Sequence, residues 1–528
     1  MSPQGQQYLG FDLGASGGRA VVGTLRGRKL VLREIHRFPN GPVSLPYGPS
    51  VERGQVSFSN SEKEASPLST SPLSTLYWDV LALWGHMQQT LVKCAAAKVD
   101  VSCVGVDAWG ADFGLIDRRG TLLGNPVCYR DARTAGSEKL IARRIDPDRV
   151  YGIAGQAPHR IHNLAQLFVM SRDPGGRDML RQAQCFLPVP DLMRFFLCGH
   201  RAAEPTTAGS CQMFDLARRR WSRQIVRACG IPERILPPVV QPGTIVGQLR
   251  PELAEMAELS KVHVAAVAGH DTASAVAALP CVDDDCVFLS LGTWGIFGVM
   301  SGKPVRAAGA REKGFINQMG LDGVFFNKNL AGLHLFETLR RDYAQQGAEL
   351  TYEQILREAA AAKPFPGLLN INGPLMTYTV AGVTKAVGRF LRATGQRAAL
   401  TRGEMFRLLL EALAFSYRQA VEDLSALTGQ NFRRMCAVGG GTRNGLLCRF
   451  IADATGLDVM AGPVEGAVMG NLAVQALARG RLESAGDVRE LVRNSSEIET
   501  YKPTGPEAWR RQYDRYLDLA ERTKELSE

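Results

Sequence analysis

The sequence has 528 residues, a formal net charge of +10 and a charged fraction of 22%. This length exceeds one ordinary domain of roughly 100–200 residues, so two large domains or several small ones are expected. The 62 basic residues are spread along the chain, apart from short clusters such as Arg218–Arg220, which argues against a nucleic-acid-binding arm. A mild positive field favours an anionic ligand such as a nucleotide instead.

The eleven cysteines include no C-x-x-C pair, and Cys281 and Cys286 lack zinc or redox spacing. Cys103, Cys198 and Cys436 lie in apolar runs and read as small buried hydrophobes. Reduced thiols point to the cytoplasm. The stretch Met1–Gln7 is polar and lacks a signal-peptide pattern. No run of ~18 apolar residues offers a membrane span.

In chain order, YLGFDLGASGGRAVVGTL opens with two apolar runs, Tyr8–Phe11 and Ala20–Leu25, around a Gly-rich turn. That pattern predicts a two-stranded hairpin, extended by a third strand. Residues 40–75 are rich in Pro and Ser, with SPLST at 66–70 and again at 71–75. They read as a long surface loop. An amphipathic pattern from Trp78 to Lys98 predicts a helix. VSCVGVDAWGADFGLID then reads as strand, turn at Asp107–Gly110, and strand. Helical patterns dominate residues 134–200, and VHVAAVAGHDTASAVAALP reads as a strand feeding a helix.

DCVFLSLGTWGIFGVM repeats the opening layout of strand, Gly-containing turn and strand. Two such hairpins about 280 residues apart indicate a duplicated domain, because solenoid periods are only ~20–50 residues. A long helix is expected over Gly403–Thr428, then the strand and turn MCAVGGG, then a helix over Asn444–Gly456. The whole is an α/β pattern.

Five segments could carry chemistry. In FDLGASGGR, glycines let backbone amides approach an anion, Ser16 adds a hydroxyl and Arg19 a positive charge. Asp12, at the strand end, is placed to hold a divalent cation. A plain hairpin turn is the alternative. Neither a G-x-x-x-x-G-K-[ST] loop nor a good G-x-G-x-x-G motif is present. SLGTWG offers Gly292 and Thr293 for the same task, so the two hairpins together could clamp a polyphosphate. VGGGTRNG, with three consecutive glycines, offers a surface free of side chains for adenosine, and Asn444 is placed to cap the next helix.

AGHDTASA places Asp271 between a strand and a helix. It could be a helix cap, or the carboxylate that accepts a nucleophile's proton in phosphoryl transfer. His270 and Thr272 could orient a sugar. No G-x-S-x-G elbow accompanies this His, which disfavours a hydrolase triad. In VDAWGADF, Asp107 and Asp112 could bind hydroxyls and Trp109 could stack on a sugar, although strand-end Asp residues are also common turn formers.

The ordered set FDLGASGGR, VDAWGADF, YRDART, AGHDTASA, SLGTWG, VGGGTRN and AGPVEGAVMGN resembles the FGGY carbohydrate kinases, from about residue 8 to the 510s. YRDART, HDTASAV and GPVE are the more discriminating pieces. The resemblance implies an α/β fold of two actin-like, ribonuclease-H-like lobes with a cleft between them. It implies a mainly sugar-binding lobe over 1–279 and a mainly nucleotide-binding lobe over 280–528. It also implies ATP and Mg²⁺, with phosphoryl transfer to the 1-hydroxyl of L-rhamnulose; another ketose such as L-fuculose or a pentulose is the near alternative, and a non-catalytic binder the far one.

Carried over residue by residue, Ala15, Ser16, Gly17, Gly18 and Arg19 fall on the first nucleotide-phosphate segment, and Thr293 and Gly440 on further ATP positions. Gly110, His270, Asp271, Thr272 and Asn329 fall on sugar positions, with Asp271 the proton acceptor. The expected partners are a small sugar and ATP, without nucleic acid or membrane.

Overall fold

The computed structural model describes residues 5–46, 74–373, 376 and 382–524. Two large sheets dominate. The first has the order β11-β12-β6-β1-β2-β3. Its members are β1 (Gln6–Gly14), β2 (Gly17–Arg26), β3 (Lys29–Pro39), β6 (Val101–Ala108), β11 (Thr244–Gln248) and β12 (His263–Ala266). β1, β2 and β3 run antiparallel in succession, while β6 is parallel to both β1 and β12.

The second sheet has the order β15-β16-β14-β13-β17-β18-β19. It is built from β13 (Cys286–Leu291), β14 (Trp294–Ser301), β15 (Phe315–Met319), β16 (Val324–Ala331), β17 (Arg434–Val438), β18 (Asp458–Ala461) and β19 (Glu499–Tyr501). β13, β14 and β16 alternate in direction, and β17 and β18 run parallel to β13. Apart from edge strands, each sheet therefore has three antiparallel strands with two parallel ones added beside the first. This repeat is the duplication that the two hairpins imply, and it is the actin-like, ribonuclease-H-like arrangement. Three ribbons complete the strands: β4 (Pro42–Pro46) with β5 (Ser74–Trp78), β7 (Phe113–Ile116) with β8 (Cys185–Pro188), and β9 (Phe214–Asp215) with β10 (Arg220–Trp221).

The ribbon β4–β5 corrects the expected loop at 40–75. Both ends of that segment are paired strands, from Pro42 with Trp78 to Pro46 with Ser74. The remainder, 47–73, lies outside the described residues.

Strand alternation sets the packing. Leu9, Phe11 and Leu13 of β1 face a core with Leu83, Met87 and Leu91 of the helix Val80–Ala96. Tyr8 faces the other way, into a cluster with Leu472, Ala473 and Ala476 of the helix Gly466–Ala478. That helix follows the second sheet's β18 in sequence yet packs on the first sheet. A side chain at Gly105 would meet Asn471 Oδ1 at 2.6 Å, so the glycine lets helix and sheet approach closely. Gln475 donates to the carbonyl of Leu9 at 3.0 Å.

The long helix forms as Arg402–Thr428. Its start is a reciprocal capping box between Thr401 and Glu404, which typically stabilises by about 1 kcal/mol. No helix among the described residues is long and apolar enough to cross a membrane.

Candidate active site

In parallel α/β sheets ligands gather at the carboxyl ends of the strands. Three carboxylates converge there in the first sheet. Asp12 of β1 pairs in register with Asp107 of β6, and Ala108 forms a bridge with His270, just before Asp271.

Asp107 is fully buried and accepts from Asn471 at 2.6 Å, while its Oδ1 finds no partner among the described residues. Burial first, and then the negative charges of Asp12 and Asp271, push the Asp107 carboxyl well above the usual range, against the Asn471 hydrogen bond. Asp12 is also raised, by burial first, with Arg19 opposing and Asp271 and Glu465 adding to the shift.

Arg19 donates to Asp12 Oδ2 from Nε at 2.9 Å and from its terminal nitrogen at 2.7 Å. Its other terminal nitrogen donates to Glu465. Glu465 also lies 3.6 Å from Arg443, in the short helical turn Gly440–Arg443. One carboxylate thus ties the first hairpin to the glycine loop of the second sheet.

Asp271 is the first residue of the helix Asp271–Ala277, and His270 is the capping position, without a side-chain cap bond. Asp271 Oδ1 accepts from the Thr272 amide at 2.5 Å and from its hydroxyl at 3.2 Å. The side chain of Asp271 keeps 35% of its exposure, so the carboxylate is reachable. His270 Nε2 stands 3.5 Å from Asp271 Oδ1. Burial lowers the His270 pKa, with Asp271 opposing, so the imidazole is neutral at pH 7 and the contact is not an ion pair. His270 Nδ1 is buried and has no hydrogen-bond partner among the described residues. Gly110 makes room for this ring: a side-chain carbon there would lie 2.4 Å from His270 Nε2.

The loop carrying Asp271 is held from behind by Glu204, which is fully buried. Its Oε2 accepts from the Thr206 hydroxyl at 2.5 Å and the Gly269 amide at 3.1 Å. Thr206 Oγ1 in turn accepts from the His270 amide at 3.1 Å. Burial pushes the Glu204 carboxyl up to about 7. The sequence reading missed this residue; the signal is a Glu before Pro-Thr-Thr at a helix start.

Two sequence-based expectations change. Asp112 is fully buried and cannot offer itself to a sugar. It accepts from the indoles of Trp78 at 2.5 Å and Trp109 at 3.0 Å, and from Gln166 at 2.8 Å. Trp109 is 5% exposed and packs on Trp78, with ring centroids 4.4 Å apart. The two residues brace the strand end that presents Gly110.

The hairpin turn at Ala15 and Ser16, with Gly17, Gly18 and Arg19 opening β2, borders an open cavity of about 520 Å³ lined by Asp12, Ser16, Arg19 and Arg37. Ser16 is exposed at its mouth. Thr293 and Trp294 are exposed at the turn between β13 and β14, and Trp294 packs on His334 at 4.7 Å between ring centroids. Trp294, 54% exposed, is an apolar face beside a phosphate-type turn that the sequence reading left unassigned.

In the loop after β17, Gly439 has φ +95° and a side chain at Gly441 would meet Leu291 at 2.5 Å, so both glycines serve the backbone. Gly440 faces open space and is the glycine left for a ligand. Asn444 caps the helix Gly445–Thr455, accepting from the Leu447 amide at 2.9 Å. Asn329 is exposed on β16 opposite Ile296, and no hydrogen bond among the described residues joins it to the Asp271 group.

Residues 52–278 match the model for the FGGY family of carbohydrate kinases, N-terminal domain, and residues 287–479 match the C-terminal domain of the same family. The chain is 32% identical to a rhamnulokinase of Bacteroides thetaiotaomicron, over 96% of this chain and 97% of that one. It is 31% identical to a rhamnulokinase of Halalkalibacterium halodurans, over 93% and 98%. In structure it resembles xylulose kinase from Rhodospirillum rubrum, with TM-score 0.74, 19% identity and 98% and 99% coverage. It also resembles Plasmodium falciparum glycerol kinase with ADP, with TM-score 0.76, 13% identity and 99% coverage of each. The chain belongs to the FGGY family of carbohydrate kinases and is itself a carbohydrate kinase.

Proposed function

We propose that this kinase transfers the γ-phosphoryl group of ATP to the 1-hydroxyl of L-rhamnulose, giving L-rhamnulose 1-phosphate and ADP. The observation that carries the reading is the reachable Asp271 carboxylate, set between neutral His270 and Thr272 beside Asp12 and Asp107. The rhamnulokinases of similar length at about one-third identity support the choice of sugar.

In this reading residues before 280 hold mainly the sugar, through Gly110, His270, Asp271 and Thr272, with Asn329 of β16 reaching it from the other half. Those after it hold mainly the nucleotide, with Thr293 and Gly440 facing Ala15–Arg19 across the phosphates. Asp271 takes the proton of the sugar hydroxyl as that oxygen attacks the γ-phosphorus. The bond to the β–γ bridging oxygen breaks and ADP leaves. Arg19 places positive charge beside the phosphate turn.

Asp12, Asp107 and Asp271 lie close enough for their charges to act on one another, and with Asp107 Oδ1 unpartnered among the described residues their hard oxygens fit Mg²⁺. Asp12, with Asp107 behind it, would hold the ion, which when bound neutralises phosphate charge. All eleven cysteines are free thiols, which supports a reducing, cytoplasmic setting.

A coupled ADP-release assay over a panel of ketoses tests the reading. The expected result is the highest kcat/KM for L-rhamnulose. A pentulose or L-fuculose ahead of it would overturn the substrate, and no turnover of any sugar would overturn the reaction.

A further inference from the structure

Three thiols unrelated to the reaction cluster where the segment from the Asp271 helix enters β13 beside β17. Cys281 lies in the connecting segment, Cys286 opens β13, and Cys436 lies on β17. Their sulfurs lie within 4.8 Å of one another. Among the described residues this is the only group of three or more side chains of metal-ligating type so arranged. Cys286 Sγ and Cys436 Sγ are 3.4 Å apart, and Cys281 Sγ is 3.3 Å from Asp283 Oδ2.

We propose that Cys281, Cys286 and Cys436 form a three-thiolate site for a thiophilic divalent cation of the zinc class, with the fourth tetrahedral position taken by water. A tetrahedron with Zn–S of about 2.3 Å and Zn–O of about 2.0 Å has S···S edges of about 3.8 Å and S···O edges of about 3.5 Å. The Cys286–Cys436 separation of 3.4 Å stands a few tenths of an ångström inside that S···S edge, and all three sulfurs lie within 4.8 Å of one another. Ordinary packing of small hydrophobes accounts for two buried thiols but not for a third turned onto them.

The surroundings also fit. Cys286 and Cys436 are buried against Leu279, Phe288 and Val438, which keeps water out, while half-buried Cys281 gives an ion a way in. Arg434 donates to Asp283 Oδ2 at 2.8 Å and to Asp285 at 2.5 Å. It orients the carboxylate and offsets part of the negative charge of three thiolates. The ion displaces the thiol protons to solvent as it binds. Bound there, it fastens the connection from the first sheet to β13 and β17. The proposal does not depend on which sugar is phosphorylated.

The test uses the full chain, reduced, stripped with a chelator and titrated with Co²⁺ and then Zn²⁺. The expected result is one cobalt per chain with a thiolate-to-cobalt charge-transfer band, bleached by an equivalent of Zn²⁺, and a higher Tm with metal. Cys281→Ser and Cys436→Ala should abolish the band, and Cys94→Ser, at a buried thiol outside the cluster, should leave it unchanged. Arg434→Ala should weaken binding about 10–100-fold. Cobalt bound without a thiolate band, a band that survives in Cys436→Ala, or a Cys286–Cys436 disulfide in the isolated protein would each overturn the assignment. Cys281→Ser changes a half-buried side chain, so its folded state can be checked by circular dichroism independently of metal.

Discussion

The hairpins β1–β2 and β13–β14 hold equivalent places in two sheets of the same order, yet they bring different chemistry to the cleft. The first presents Asp12 and Arg19, wired to Glu465 and close in charge to Asp107 and Asp271. The second presents exposed Thr293 and Trp294, with no ionisable side chain in its turn. The two hairpins therefore share the strand–turn–strand layout, with the charge concentrated on one of them. The first hairpin is suited to neutralising and activating. The second is suited to positioning.

The largest effect that would break this contrast concerns Arg19. In Arg19→Ala, Asp12 and Glu465 lose their shared partner. We expect turnover to fall on the order of 10²–10³-fold. Stability should fall by about 3 kcal/mol, because a largely buried pair is broken from one side. Steady-state kinetics and urea unfolding measure the two, and an Arg19→Ala enzyme of full activity would show the first hairpin to be a passive turn.

Next is Gly110→Ala, which forces a methyl group against the His270 ring. Overpacking typically costs about 1–3 kcal/mol. The sugar KM should rise about tenfold while the ATP KM stays fixed. A change in the ATP KM instead would move His270 out of the sugar site.

On the second hairpin the effect is smaller. Thr293→Ala removes one hydroxyl hydrogen bond, worth about 1 kcal/mol. The ATP KM should rise about fivefold with kcat nearly unchanged. A loss as large as that of Arg19→Ala would erase the contrast between the hairpins.

The smallest effect sharpens the account of the support behind Asp271. The Glu204 carboxyl is raised from 4.5 to about 7 in the fold. A raised acid favours the folded state below its unfolded pKa and loses that contribution as pH rises through the folded value. The native protein should therefore lose stability between pH 4.5 and about 7 relative to Glu204→Gln, which has no proton to lose. Parallel Tm profiles of the two proteins over that range would contradict this.

Local rules made much of the fold readable. The two hairpins, the helix opened by Thr401 and Glu404, and the Asn444 cap all follow from residues within a few positions of one another. The strand-to-helix turn at His270, Asp271 and Thr272 was readable for the same reason. What escaped depends on distant partners. Asp112 reads as a hydroxyl binder or a turn former until the Trp78 indole, 34 residues away, arrives to claim its carboxylate. Glu204 reaches Gly269 across 65 residues. The docking of Gly466–Ala478 on the first sheet, and the meeting of Cys436 with Cys281 and Cys286, likewise have no local signature.

Asp271→Asn tests the central claim most directly. The amide keeps the oxygen that accepts from Thr272 but cannot take the sugar's proton. Turnover with L-rhamnulose and ATP should fall on the order of 10²–10⁴-fold, with the Tm and the ATP affinity held near those of the native enzyme. Near-native turnover in a variant that folds and binds ATP normally would show that Asp271 is not the base.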